Sequence, residues 1–321
     1  MNESHFVMSM LKVVQELGNS YRQSSESASE AVAELNRLRE AISNARRLAV
    51  NRFSASREWG EFCWEFPLAL NGADEIWMSF EEREHWWMDA KQSAEFWNDG
   101  TGQAHSLGAL ANLYSDMGRL QEAHQMYENR LKLAKEQENH LAVVKTLLNL
   151  GNSHLRQTQH DEARIRLHEA RRQARIHGIL REEARSVGSL AVTLRRTGKT
   201  RIAIRFLRLR LRILDSVEDP MQRALTYANL GEYHMELKEY STAEHYLQCA
   251  LTIHVKSRNS VREGTALAKI GQLYAEQGSI ASALQVLEKA LTIFRDTSRD
   301  ELAKDCQDEI TRIQALEDSH L

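Results

Sequence analysis

The sequence is poor in the residues that interrupt helices. It contains only two prolines, Pro67 and Pro220, among 321 residues, whereas a usual frequency of about 5% would give roughly sixteen. Glycine occurs 15 times. Proline lacks a backbone N–H and glycine loses much conformational freedom on folding, so a chain with few of either can stay helical almost throughout. The composition therefore predicts an all-α protein.

Cysteine is equally scarce. Cys63, Cys249 and Cys306 lie far apart and form no close pair that could bind zinc or act as a redox couple. The thirteen histidines include no HExxH motif and no close Cys/His set. We therefore expect no metal and no cofactor, and the sparse, odd cysteine count fits a reducing compartment.

The chain also lacks long apolar runs and a strong net charge. No run approaches the roughly 18 apolar residues that span a bilayer. The first residues, MNESHFVMSMLKVV, have neither a basic leader nor a small-residue cleavage site, so we do not expect them to be a secretory signal. The formal net charge of −3 gives no overall attraction to nucleic acid or to a membrane surface. We expect a cytoplasmic protein with no membrane partner.

A repeat of 40 residues occupies the chain from residue 101 to residue 300. Each copy has an alanine at one fixed place, and a leucine or isoleucine followed by a small residue at another. The five copies are 101–140, 141–180, 181–220, 221–260 and 261–300. The alanines are Ala123, Ala163, Ala203, Ala243 and Ala283, and the aliphatic positions are Leu110, Leu150, Leu190, Leu230 and Ile270. Apolar residues recur at helical spacing in both halves of a copy, which predicts helical hairpins that stack to bury their apolar faces.

The turn inside each hairpin carries its own signals. Gly118, Gly198 and Gly278 stand there in three copies, where a helix end favours a positive φ. The turn of the third copy reads RTGKTRI, which resembles a phosphate-binding loop only in part. Thr193 replaces the first glycine of that motif and no strand precedes it, so we interpret the match as accidental.

Segments such as TLLNLGNSHLRQTQHDEA and TYANLGEYHMELKEYSTA resemble the tetratricopeptide-repeat (TPR) family. They are similar to its 40-residue subtype, which is shared by Pins/LGN adaptors, kinesin light chains and the sensors of bacterial STAND signalling ATPases. The resemblance implies a right-handed TPR solenoid of five repeats over residues 101–300 that binds proteins without catalysing a reaction. Arg130 and Arg210 depart from it, because the family usually has alanine there, and the sequence leaves open how the two arginines pack.

The remaining residues are predicted to be helical as well. We divide the chain into N-terminal helices (1–58, with one helix from Ala31 to Asn51), a Trp-rich unit (59–100), the repeats (101–300), and a capping helix with a tail (301–321). The Trp-rich unit is similar to the irregular segment that precedes TPR arrays in STAND proteins. Its six tryptophans are Trp59, Trp64, Trp77, Trp86, Trp87 and Trp97. We favour the core of a cap over an exposed binding platform for them, because each ring has a large apolar area to bury.

The candidate binding site follows from the resemblance and from charge. The family's peptide-binding positions flank the small residue of the first helix, and they fall on Ala109 and Asn112, Asn149 and Asn152, Ser189 and Val192, Asn229 and Glu232, and Lys269 and Gln272. Asparagine can donate to and accept from an extended peptide backbone. With the basic residues predicted on the same side, the full set is Asn112, Lys145, Asn149, Asn152, Arg156, Arg185, Ser189, Arg196, Asn229, Glu232, Lys269 and Gln272.

A second, basic face is predicted in the third repeat. Residues 161–212 carry fifteen Lys/Arg against five Asp/Glu, whereas residues 1–100 carry ten bases and seventeen acids. Arg201, Arg205, Arg208 and Arg212 lie on one face of a helix without a carboxylate. The sequence leaves open whether an acidic region of this chain, a second copy of it or a separate partner neutralises them.

We therefore expect an adaptor that binds a protein segment with acidic residues in a concave groove. The sequence leaves open whether the protein forms homo-oligomers. The first alternative is a regulatory sensor of a bacterial signalling or defence system that works with a separate effector. The second is binding of a nucleic-acid backbone by the arginine face, which the overall charge disfavours. Catalysis is least favoured, because no nucleophile, base and orienting acid group together.

Overall fold

A computed structural model describes residues 2–22, 25–70, 72–297 and 299–318. Seventeen α-helices and no strands occur in these ranges, which confirms the all-α prediction. The chain forms two compact units, Met1–Gln157 and Thr158–Leu321.

The first unit begins with six helices that share one core. They are α1 (Glu3–Tyr21), α2 (Ser25–Arg37), α3 (Arg39–Arg52), α4 (Arg57–Ala69), α5 (Asp74–Trp77) and α6 (Phe80–Phe96). Trp59, Trp77 and Trp86 are buried in this core beside Phe66, and Trp87 is buried in the neighbouring cluster. Four of the six tryptophans are therefore core residues.

The single helix expected from Ala31 to Asn51 is wrong. The chain bends at Leu38 (φ −95°, ψ 3°), which separates α2 from α3. Helical hydrogen bonds continue on either side of this residue. The N–H of Leu38 donates to the carbonyl of Glu34, and the N–H of Ile42 donates to the carbonyl of Leu38. Apolar residues keep their helical spacing across the bend, so the sequence pattern could not reveal it. Helix α2 begins at Ser25, within a serine-rich stretch that starts outside the described residues.

Pairs of helices then recur every 40 residues. The first unit ends with α7 (Gly100–Asp116), α8 (Leu120–Glu136) and α9 (His140–Arg156). The second unit contains α10 (His160–Ile176), α11 (Leu180–Arg196), α12 (Thr200–Leu214), α13 (Pro220–Glu236), α14 (Tyr240–Lys256), α15 (Ser260–Glu276), α16 (Ile280–Asp296) and α17 (Asp300–Asp318). The segment RTGKTRI joins α11 to α12 as a turn. Ile310 and Ile313 of α17 share a core with Phe294 of α16, so α17 packs against the last repeat.

The positions that define the repeat are the most deeply buried ones. The five alanines at the fixed position, Ala123, Ala163, Ala203, Ala243 and Ala283, are all 0% exposed. In the hairpin turns, Gly118, Gly198 and Gly278 have φ values of +74°, +74° and +77°. Thr158 and Lys238 adopt the same left-handed conformation at φ +60° and +58° in the other two copies, at a steric cost of about 1 kcal/mol each.

Packing at Arg130 and Arg210 is not disturbed, because each arginine lies over a glycine. A Cβ added to Gly108 would lie 2.9 Å from the guanidinium carbon of Arg130, and one added to Gly188 would lie 2.8 Å from Nη1 of Arg210. The other three copies combine an alanine at the arginine position with alanine or leucine at the glycine position. Size is therefore exchanged between two facing helices, which is how the fold accommodates an arginine where the family usually has alanine.

Candidate functional site

The first helices of the first unit carry two linked asparagines. The hydroxyl of Tyr127 donates to Oδ1 of Asn112 (2.6 Å), and Nδ2 of Asn149 donates to the same oxygen (3.2 Å). Among the described residues of this unit, Nδ2 of Asn112 and Oδ1 of Asn149 have no partner. Asn112 is exposed and Asn149 is half-buried. The pair therefore presents one oriented donor and one oriented acceptor, which suits a peptide backbone.

The two predicted basic residues of α9, Arg156 and Lys145, differ in whether they form an ion pair within the first unit. Arg156 is exposed and pairs with Asp116 (3.1 Å), and it also donates to Oγ of Ser115 (2.9 Å). Lys145, like Asn152, is half-buried on α9, and it has no ion pair among the described residues of this unit. Lys145 is thus the predicted cation here that remains available to an acidic partner.

In the second unit, the expected basic residues of α11 are partly structural. Nη1 of Arg185 donates to Oε2 of Glu182 at 2.8 Å, and the Glu182 side chain is only 5% exposed. A buried carboxylate needs such a partner, so Arg185 stabilises the fold. Ser189 is half-buried, whereas Arg196 is exposed at the end of α11.

A groove of about 520 Å³ lies along α11, α13 and α15. It brings together three predicted residues, Glu232, Lys269 and Gln272. Asn229 lies one turn before Glu232 on α13 and is half-buried, but it does not line the groove. The remaining lining residues, which the sequence prediction missed, are Arg195, Met235, Glu236, Lys238, Tyr240 and Glu276.

The charges in this groove alternate in sign. Nζ of Lys269 lies 3.2 Å from Oε1 of Glu232, and Nη1 of Arg195 lies 3.9 Å from the other oxygen of the same carboxylate. Arg195 also pairs with Glu236, and this hydrogen bond raises the pKa of Arg195. Its guanidinium lies 5.1 Å from the ring centroid of Tyr233. The groove is therefore a mixed polar surface with one aromatic lining residue, Tyr240, and the expected excess of basic charge is not found there.

A sequence signal for these pairs does exist. Arg156 pairs with Asp116, which stands at the same place one repeat earlier, and Arg195 pairs with Glu236 at nearly the same place one repeat later. Opposite charges at matching positions of successive repeats could therefore have identified Arg195 and Glu236.

The four arginines of the basic face, named here the arginine row, have no such partners. Arg201, Arg205, Arg208 and Arg212 are all exposed on α12, and none forms an ion pair with a described residue of the second unit. Most other arginines nearby are paired, for example Arg172 with Glu169 (2.9 Å).

The described ranges contain neither a candidate metal cluster nor a candidate membrane-spanning helix. No group of three or more histidine, cysteine, aspartate or glutamate side chains there is arranged to hold a metal ion. No helix within those ranges is both long enough and apolar enough to cross a membrane.

Stacked helical hairpins with polar residues along their first helices define a helical-repeat protein with interaction surfaces. Two family models, both described as tetratricopeptide repeat, match residues 106–141, 143–216 and 222–296. These matches cover more than half of the chain, which belongs to the tetratricopeptide-repeat family.

Three known proteins show how far the similarity extends. Tonsoku-like protein from Bos taurus is 28% identical over 145 residues, which is 43% of this chain and 11% of that protein. This chain is thus far shorter than that curated relative. A STAND protein with a tetratricopeptide repeat sensor from Pyrococcus horikoshii matches 99% of this chain and 50% of its own, with 15% identity and a TM-score of 0.66. A Rap protein complexed with competence and sporulation factor matches 97% of this chain and 98% of its own, with 12% identity and a TM-score of 0.56. Because the sequence identities are only 15% and 12%, the similarity to these two structures shows a common fold and no more.

Proposed function

We propose that the protein is a non-catalytic interaction scaffold that binds a peptide or protein segment along the first helices of its repeats. The observation that carries this proposal is the groove along α11, α13 and α15. Its volume of about 520 Å³ lies within the usual range of ligand pockets, about 300 to 1,000 Å³. Glu232, Lys269 and Gln272 line it, and the family resemblance places peptide-binding positions on these three residues.

Recognition would combine backbone hydrogen bonds with exchange of ion pairs. In the first unit, Asn112 and Asn149 supply the oriented donor and acceptor, and Lys145 attracts an acidic side chain. In the second unit, a bound segment would replace the contact between Lys269 and Glu232 with its own charged groups. The partner is therefore a segment that carries acidic residues and presents its backbone.

A second candidate function is a regulatory sensor that works with a separate effector. It is supported by the similarity to a STAND protein with a tetratricopeptide repeat sensor, which extends over 99% of this chain. The Rap protein was solved in a complex with competence and sporulation factor, and binding of a comparable small factor by this chain is part of the same proposal.

Affinity purification from native lysate with mass spectrometry tests the scaffold. The baits are the wild type, a first-unit variant (Lys145→Glu with Asn149→Ala) and a second-unit variant (Lys269→Glu with Gln272→Ala). Lys289→Glu is the matched control, because this lysine is exposed on the second helix α16. We expect a partner that the wild type and the control retain and that at least one groove variant loses. Identical recovery by all four baits would contradict binding along the first helices.

A further inference from the structure

The second helix of the third repeat carries a surface that the fold itself does not need. The arginine row follows α12 at i, i+4, i+7 and i+11, over a length of about 16 Å. Like charges at this spacing destabilise an isolated helix. At the same four places the other repeats have mixed or neutral residues, namely Gln121, Gln125, Glu128 and Lys132; Asp161, Ile165, His168 and Arg172; Ser241, His245, Gln248 and Thr252; and Ala281, Gln285, Glu288 and Thr292. Stacking of hairpins therefore does not account for four arginines.

An apolar stripe runs beside the arginine row. Each member stands one residue after an arginine, so the stripe has the same spacing and lies along one side of the row. Its members are Ile202, Phe206, Leu209 and Ile213. Ile202 is 42% exposed, and the other three are half-buried. The stripe thus lies at the edge of the core, against which Phe206 packs, and its exposed parts are accessible to a partner.

Helix α10 closes the far side of this stripe with basic residues. The ring of Phe206 lies 6.5 Å from the ring of His168, and the guanidinium of Arg171 lies 5.9 Å from its centroid. Burial and the nearby charges of Arg171 and Arg164 lower the pKa of His168, so these three side chains are close together. Arg164 is paired with Asp161 (3.0 Å), whereas the contact of Arg171 with Glu183 is longer (3.9 Å). The apolar stripe therefore lies between two basic edges, of which the arginine row is the unpaired one.

We propose that this outer surface of α10 and α12 binds an acidic amphipathic helix of a partner protein. The partner's apolar residues would pack along Ile202, Phe206, Leu209 and Ile213. Its carboxylates, at the same i, i+4, i+7 and i+11 spacing, would accept hydrogen bonds from the arginine row. Arginine suits this role because its planar fork binds a carboxylate with two parallel hydrogen bonds.

The surface fits a protein helix better than a nucleic acid. A phosphate backbone makes no use of an apolar stripe, and single-stranded bases stack on exposed aromatic rings. Phe206 is the aromatic residue of this stripe, and it is half-buried against Arg171. The formal net charge of −3 also opposes general attraction to a polyanion.

Binding to a designed probe tests the proposal on the full chain. The probe is a fluorescein-labelled helical peptide of about five turns, with a leucine stripe at i, i+4, i+7 and i+11 and glutamates on both sides of it. A second peptide has the same composition with the leucine stripe scrambled, and a third probe is single-stranded oligouridylate. Fluorescence anisotropy gives the Kd of each probe for the wild type and the variants.

We expect the striped peptide to bind, and the double variant Arg205→Glu with Arg208→Glu to bind it about tenfold more weakly. Ile202→Ser should weaken it severalfold, because that side chain is exposed and contributes only apolar contact. Arg262→Glu with Lys289→Glu is the matched control, since both residues are exposed in the second unit away from α12 and the charge change is equal. The Lys145 and Lys269 variants should bind the probe like the wild type, which separates this surface from the groove.

Three outcomes would overturn the proposal. Equal affinity for the striped and scrambled peptides would show that the surface binds acidic peptides by charge alone, without recognising an apolar stripe. Tighter binding of oligouridylate than of the striped peptide would assign the arginine row to nucleic acid. Self-association of the wild type in sedimentation experiments, abolished by the Arg205 and Arg208 reversals, would identify the occupant as a second copy of this chain.

Discussion

In the third repeat, Arg210 packs over Gly188, whereas repeats four and five have alanine at both of these positions. Arg210 is 4% exposed, and its guanidinium fills the space in which a Cβ on Gly188 would lie. We therefore predict that Gly188→Ala combined with Arg210→Ala keeps the fold and raises the stability of the second unit.

The magnitude follows from the environment of Arg210. Burial lowers the pKa of Arg210 from 12.5 to about 10, which corresponds to a desolvation cost of about 3 kcal/mol at neutral pH. Replacing a helical glycine by alanine contributes about 1 kcal/mol more. Against these gains, Nη2 of Arg210 no longer donates to Gln222, at about 1 kcal/mol, and the packing of its aliphatic stem is lost. We expect a net gain of about 1 to 2 kcal/mol in the free energy of unfolding.

The single variants separate packing from charge. Gly188→Ala alone places a methyl group 2.8 Å from Nη1 of Arg210, so overpacking should cost about 1 to 3 kcal/mol. Arg210→Ala alone leaves a cavity above Gly188, which offsets the relief of the buried charge. The double variant should therefore be more stable than the sum of the single effects by at least about 1 kcal/mol.

Urea unfolding followed by circular dichroism, together with calorimetry, measures this cycle. The exposed Arg208→Ala on the same helix is the control, and it should change stability by less than about 0.5 kcal/mol. Additive effects of the two substitutions, or a double variant less stable than Arg210→Ala alone, would refute the idea that the two side chains share one space.

Two smaller predictions concern backbone strain and pH. Lys238 holds a left-handed φ of +58°, so Lys238→Gly should raise the Tm through a gain of about 1 kcal/mol, whereas Lys238→Ala should not. Burial, with a smaller contribution from Arg262, lowers the pKa of His254 below its ordinary 6.5, so the unfolded chain binds a proton at that site before the folded one does. Stability from this site is complete above pH about 6.5 and is lost as the pH falls toward the folded pKa. The Tm of His254→Gln should therefore fall less than that of the wild type between pH about 7 and about 5, and parallel curves would contradict the assignment.

The repeats could be predicted because their defining positions must be buried in every copy. A position such as that of Ala163 or Ala243 is completely buried between packed helices and has no room for a larger side chain. The regular spacing of these alanines therefore identifies the fold. The exchange between Arg210 and Gly188 was not predicted, although the sequence contains its signal, because the glycine occurs only in the copies that have the arginine. The bend at Leu38 could not be predicted, because apolar residues keep their helical spacing across it.

The candidate site was less predictable because side-chain charges are satisfied between neighbouring repeats. Arg185 has the residue type expected of a binding residue, yet it neutralises the buried Glu182. Arg195 was not expected, yet it lies in the groove between Glu232 and Glu236. Position within a repeat therefore predicts which helix face a residue occupies, but its pairing decides whether its charge is available to a partner.

Pairing also distinguishes the two proposed surfaces physically. In the groove, Lys269 and Glu232 already hold each other, so a partner gains only the difference between the new ion pairs and those it replaces. Such a surface favours geometric fit over charge. The arginine row has no pairs to break within the described part of its unit, so an acidic helix would gain the full attraction and reduce the repulsion along α12. One fold can thus hold a selective groove on its first helices and a charge-driven surface on its second helices.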